Sequence, residues 1–136
     1  MTAEEYIDQQ CSEFEKKILS MGVTEKFRYT ADNIHSLDSL KLALWGPEGP
    51  SEDKVGPLSI MWGAAFTKII SNTYKSQWTV DPESNVPVVI VKCGGRGMQV
   101  KSIVVATQAF RENQSLSAMW YELEDHLLKS GAEKVS

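Results

Sequence analysis

The sequence predicts an α+β fold: N-terminal helices and a C-terminal helix packed on a small antiparallel sheet of about three strands. Three observations lead there. Apolar residues recur at helical spacing over 3–20, 31–45 and 58–75. Short β-branched runs then fill 77–105, and helical spacing returns over 115–129. Helices, then strands, then a helix is not the alternating order of a parallel nucleotide-binding sheet.

Each element has its own signals. In 3–20, Ile7, Cys11, Phe14 and Ile18 fall on one face, with Glu4, Glu5 and Asp8 early, Lys16 and Lys17 late, and Gly22 as the stop. In 31–45 the stripe is Ile34, Leu37, Leu40 or Lys41, and Leu44, with Thr30 or Asp32 as the cap. GPEGPSEDKVGP, 46–57, with its glycines, prolines and acids, reads as an exposed loop. The helix over 58–75 carries Leu58, Met61, Trp62, Ala65, Phe66, Ile69 and Ile70, and its small Gly63, Ala64 and Ala65 invite close packing. QWTVD, 77–81, alternates as a strand, and Asp81, Pro82, Ser84 and Asn85 form a turn. VPVVIVK, 86–92, reads as a strand buried on both faces, and MQVKSIVV, 98–105, as its partner. Residues 106–113 fit either a short helix or an irregular link. The last helix, 115–129, carries Leu116, Met119, Trp120, Leu123 and Leu127.

With 136 residues the chain has the length of one domain, 1–136, with about 130–136 as a frayed tail. The formal net charge of −4 argues against general nucleic-acid binding and suits a basic partner. Cys11 and Cys93 stand far apart and need no disulfide framework, which favours a reducing compartment. The acidic start MTAEEYIDQQ lacks the features of a secretory signal, and no apolar stretch is long enough for a membrane span. A cytoplasmic protein is the expectation.

The glycine cluster CGGRG, 93–97, poses the sharpest choice. A phosphate cradle needs a helix start straight after the last glycine, with Lys and Ser or Thr beside it. Here Met98, Gln99 and Val100 follow, so a β-hairpin is the expectation, with Gly94, Gly95 and Gly97 supplying positive φ values. Arg96 would stand at its tip. No acid occurs from 84 to 111, whereas the first fifteen residues hold five acids and no base, which suggests an electrically divided molecule.

Reactive constellations are sparse. His35 and His126 have no neighbour at metal-ligand spacing. A Cys93–His126 dyad needs a proximity that sequence does not supply. Glu122 and Asp125 share a helix face and read as solvated. The four tryptophans sit at apolar positions and read as core, with Trp45 at the margin of the loop. The expectation is therefore no catalytic residue, no cofactor and no metal site.

The stretches LSIMWGAAFTKIISNTYKSQWTV, PVVIVKCGG and SLSAMWYELEDHL resemble, over about 58–128, a family of uncharacterised bacterial domains related to the immunity proteins of toxin systems. Gly63, Trp78 and the order of elements carry the resemblance. It implies an inhibitor that binds and blocks a cognate toxin, and it transfers no site residues. The functional expectation is a small acidic intracellular protein-binding module of that kind. Its contacts would be Trp45 as an aromatic anchor, the acids Glu48, Glu52 and Asp53, and Arg96. The alternatives are a ligand-binding protein or enzyme with a cleft between helices and sheet, using Cys93, His126 and Arg96, and a self-associating structural adaptor.

Overall fold

The computed structural model describes residues 2–135. Five helices and a three-stranded antiparallel sheet follow one another as α1 (Ala3–Leu19), α2 (His35–Trp45), α3 (Glu52–Thr73), β1 (Ser76–Val80), β2 (Pro87–Cys93), β3 (Arg96–Val100), α4 (Ser102–Arg111) and α5 (Leu116–Lys129). The sheet order is β1-β2-β3, a simple meander. The expected α+β class is the observed one.

α3 is the axis on which the other elements pack. Trp62, Ala65, Phe66, Ile69 and Ile70 on it are wholly buried. α1 runs antiparallel to it: Asp8 pairs with Lys68 at 3.1 Å, and the Phe14 ring meets Trp62 edge-on at 4.8 Å. The buried face of α1 is Ala3, Ile7, Cys11, Phe14 and Ile18, the expected stripe plus one residue. A capping box holds its start, with Glu5 N–H donating to Thr2 Oγ1 at 3.1 Å.

α4 also runs antiparallel to α3, from Ile103 beside Gly63 to Arg111 paired with Glu52 at 2.9 Å. α3 contributes the buried small residues Ser59, Gly63 and Thr67; α4 contributes Ser102, Ala106 and Ala109. A Cβ on Gly63 would stand 2.8 Å from Ile103 Cα, so glycine sets how closely the helices approach.

Three boundaries differ from the sequence expectations. The helix expected from 58 begins at Glu52, because Val55 already joins the buried face, and Glu52 and Asp53 favour the positive end of the helix dipole. Pro57 sits inside this helix, in its second turn, where it withholds one backbone N–H from the carbonyl of Asp53. The strand expected over 98–105 stops at Val100, and 102–111 is helix. Of the β-branched Ile103, Val104 and Val105 only Val104 is exposed; Ile103 packs on Gly63 and Val105 on the core margin, while Ser102, Ala106, Ala109 and Phe110 form a helical stripe buried against α3. Tertiary burial overrides local β-propensity there.

The tail is the third difference. Residues 132–135 are knitted in rather than frayed; Ser136 lies outside the described residues. Lys75 N–H donates to Glu133 C=O, Glu133 N–H to Lys92 C=O, and Lys92 N–H to Lys75 C=O, closing a triangle of backbone bonds at 2.8, 3.2 and 2.9 Å. Val135 N–H adds a bond to Thr73 C=O at 3.0 Å. The chain end thereby ties the end of α3 to the sheet.

α2 joins α5 through buried polar groups. After a 3-10 turn over Ala31–Asn33, in which Thr30 makes no side-chain cap bond, α2 buries Ile34 just before it and Leu37 within it. Asp38 accepts from Leu116 N–H (2.7 Å), Ser117 N–H (3.0 Å), Ser117 Oγ (2.6 Å) and Ser115 Oγ (2.8 Å), capping α5 from a neighbouring helix. Burial pushes its pKa up, but these hydrogen bonds outweigh that and leave the carboxyl below the usual carboxylate value. One turn on, Lys41 Nζ donates to the carbonyls of Ala109 (3.0 Å) and Gln114 (3.1 Å). Burial pushes the Lys41 ammonium pKa down, and Asp38 partly restores it. The ambiguity between Leu40 and Lys41 resolves in favour of Lys41 as the more buried residue.

Candidate functional site

β2 and β3 meet in a two-residue loop, Gly94–Gly95, between the paired Cys93 and Arg96. The expected hairpin is therefore present. Its glycines serve different ends. Gly94 takes φ +62°, as the first position of a type II′ turn requires. Gly95 and Gly97 are not in the left-handed region, contrary to the expectation that all three supply positive φ. Gly97 instead supplies space, since a Cβ there would fall 2.5 Å from Ile90 Cγ2.

In an antiparallel pair, alternate residues direct their backbone bonds to the partner. Cys93 and Arg96 bracket the loop as a bonded pair, so Met98 and Val100 also turn their N–H and C=O toward β2. Gly97 and Gln99 turn theirs outward. Among the described residues, neither makes a backbone bond to any other segment. β3 is thus an open sheet edge.

Grooves flank this edge on both sides. One, of 390 Å³, lies on the exposed face of the sheet between Lys75, Gln77, Ile90, Lys92, Arg96 and Gly97. The other, of 480 Å³, lies between β3 and the end of α5 and is lined by Cys93, Arg96, Gly97, Met98, Gln99 and Ser130. Lys75, Lys92 and Arg96 set three cations around the hairpin against one carboxylate, Glu133, at 3.8 Å from Lys75 and 3.5 Å from Lys92. Both pairs are solvent-exposed and worth at most about 1 kcal/mol each.

The residues expected to contact a partner are dispersed. Arg96 is exposed at the hairpin. Glu48 is exposed in the link before α3 and Glu52 and Asp53 at its start, with Glu52 engaged by Arg111. A 22-residue helix separates the two places, roughly 33 Å at the usual rise per residue. Trp45 is half-buried and packs edge-on against Trp62 at 5.4 Å and Phe110 at 5.7 Å, which commits its ring to the core margin.

The charge division seen along the chain does not become two poles. Because α1 is antiparallel to α3, its acidic first turns come to the sheet end of α3, where Asp8 meets Lys68. The basic hairpin is therefore a local feature of an acidic molecule.

Reactive groups are also apart. Cys93 is buried beside Ala132, and no hydrogen bond joins it to His126 among the described residues; His126 is exposed. Cys93 and Arg96 do share the 480 Å³ groove, but His126 is not among its lining residues. Cys11 is buried, and burial pushes its thiol up to about 11, a poor state for a nucleophile. His35 Nε2 lies 2.9 Å from Tyr121 Oη, linking α2 to α5. Among the described residues no three His, Cys, Asp or Glu side chains gather as a metal site.

Lys75, Gln77, Ile90 and Glu133 were missed from sequence. Alternation in 77–81 signals which residues of that strand share a face, but the unbroken run 86–92, read as buried on both faces, gives no such signal, and Lys92 on it is exposed. The register that sets Gln77 against Ile90, and the tail that places Glu133 between two lysines, come from tertiary pairing.

Fold and site together define a small α+β protein with an open, basic sheet edge, in which no described helix is long and apolar enough to cross a membrane. No protein-family model, curated protein or solved structure matches the chain.

Proposed function

We propose that the chain is an intracellular protein-binding module that acts by stoichiometric occupation of its partner. The observation that carries this reading is the outer edge of β3. Its Gly97 and Gln99 backbone groups are unpaired among the described residues, and grooves flank it on both sides. Such an edge offers main-chain hydrogen bonds to another polypeptide. Inhibition of a cognate bacterial toxin is the form of this function that the resemblance implies, and a basic toxin would meet Glu48, Glu52 and Asp53.

The test is affinity capture by the full chain from its native source, followed by reconstitution with the purified captured protein. One partner bound at equal stoichiometry, with its activity blocked, is the expected result. Turnover of a small metabolite by the purified chain, with no protein partner, would remove the reading and favour a ligand-binding cleft.

A further inference from the structure

We infer that the hairpin end takes an extended acidic segment of a partner protein, which adds to the sheet as a fourth strand beside β3. This rests on the reading of the chain as a protein-binding module and names the chemistry of what it binds at that edge.

Backbone and charge argue for the same occupant. Gly97 and Gln99 present outward N–H and C=O groups at the spacing of alternate strand residues, which matches the bonding row of an incoming strand. A side chain opposite Gly97 would share the exposed face with Lys92, which pairs with Gly97 from β2. Two strand spacings, about 9.6 Å, separate those positions. Gly97 puts no side chain in the lane between them. A glutamate reaching inward and Lys92 reaching outward close that gap.

Arg96 stands at the entrance of both grooves, and Lys75 lines the groove on the exposed face. A carboxylate-bearing strand thus meets three cations, of which Lys75 and Lys92 already pair with Glu133 and Arg96 makes no ion pair among the described residues, in a chain whose net charge is −4. A basic strand would meet the same three cations as repulsion. A second copy of this chain would have to bring its own β3, flanked by Arg96 and Lys101, against an identical basic edge. The acidic extended segment is therefore the favoured occupant.

The experiment uses the full chain, isotope-labelled, and an end-capped octapeptide alternating glutamate and valine. Controls carry lysine for glutamate, or a central proline. The expected result is saturable binding of the glutamate peptide, with amide exchange slowed at Gly97 and Gln99, and no comparable binding of either control. Lys92→Glu or Arg96→Glu should weaken binding roughly tenfold at low salt. Gln99→Pro removes one outward N–H and spares the bonds to β2, so it should abolish binding while the chain stays folded. If that variant does not fold, the two charge reversals carry the test.

Equal binding of glutamate and lysine peptides, protection at other amides, or no binding would each overturn the inference. So would a concentration-dependent dimer that protects Gly97 and Gln99 without peptide. A captured partner whose binding survives Lys92→Glu, Arg96→Glu and Gln99→Pro would leave the module reading standing and remove this inference alone.

Discussion

The α3–α4 contact and the β2–β3 hairpin both depend on glycine, and they use it differently. At Gly63 the missing side chain lets another helix in: the space where Cβ would sit borders Ile103 Cα at 2.8 Å. At Gly97 the missing side chain makes room for a methyl of half-buried Ile90, whose Cγ2 lies 2.5 Å from where Cβ would sit. The first site is filled by the protein itself and lies among wholly buried neighbours such as Trp62, Ala65 and Phe66. The second is closed only by a side-chain methyl and lies on an exposed strand, beside the grooves and the lysines. One residue type thus builds the core midway along α3 and shapes an exposed strand at the hairpin.

Substitutions can break this contrast. Trp62→Ala should have the largest effect, about 4 kcal/mol of lost stability in a urea titration. Its indole is fully buried, touches Phe110 at 5.7 Å and donates to Leu37 C=O at 3.1 Å. Gly63→Val comes next, at about 3 kcal/mol, because the clashing atom is Ile103 backbone and must shift with its helix. Smaller penalties for Gly63→Val than for Trp62→Phe would mean that the helices yield easily, contrary to the packing described.

Asp38→Ala should cost about 2 kcal/mol at neutral pH, since four donors at the start of α5 lose their acceptor. Its pH dependence has a definite sign. The folded pKa is lowered, so the contribution is complete above the ordinary carboxylate pKa of 3.8 and is lost as pH falls through the lower folded value. The stability gap between the native chain and the variant should therefore narrow between pH 5 and the acid limit of folding. A gap that stays constant with pH would show that the charge of Asp38 is irrelevant to the cap.

The smallest effects belong to the hairpin. Gly97→Ala should cost about 1 kcal/mol, because the obstructing Ile90 Cγ2 is a side-chain methyl that a turn about χ1 moves aside, whereas at Gly63 the obstacle is backbone. Arg96→Ala should stay within about 0.5 kcal/mol, as a solvated charge with no partner to lose among the described salt bridges. Thermal melts of Gly63→Ala and Gly97→Ala side by side sharpen the comparison most directly. Equal losses would erase the distinction between a glycine site closed by backbone and one closed by a side-chain methyl.

Much of this architecture was legible in the residues. Ile7, Cys11, Phe14 and Ile18 announce the buried face of α1, and the two-residue Gly94–Gly95 loop announces the hairpin. Two errors have one cause, which is that local signals were stronger than the tertiary ones. Gly56 and Pro57 read as loop although Val55 continues the stripe of α3, and Ile103, Val104 and Val105 read as strand although Ser102, Ala106, Ala109 and Phe110 on either side keep helical spacing. The acidic candidates, Glu48, Glu52 and Asp53, were correctly placed at the surface, as was Arg96, whereas Trp45 was drawn into an aromatic contact with Trp62 and Phe110.

Sequence alone determined the class of fold, the faces of the amphipathic helices and the hairpin, because periodicity and turn chemistry are local properties of a chain. Tertiary structure decided that α4 is a helix, that the tail closes the sheet end, and that Lys75, Lys92, Arg96 and Glu133 share one place. Those outcomes depend on which distant segments bury one another's surfaces and satisfy one another's backbone groups, and no local pattern encodes that pairing.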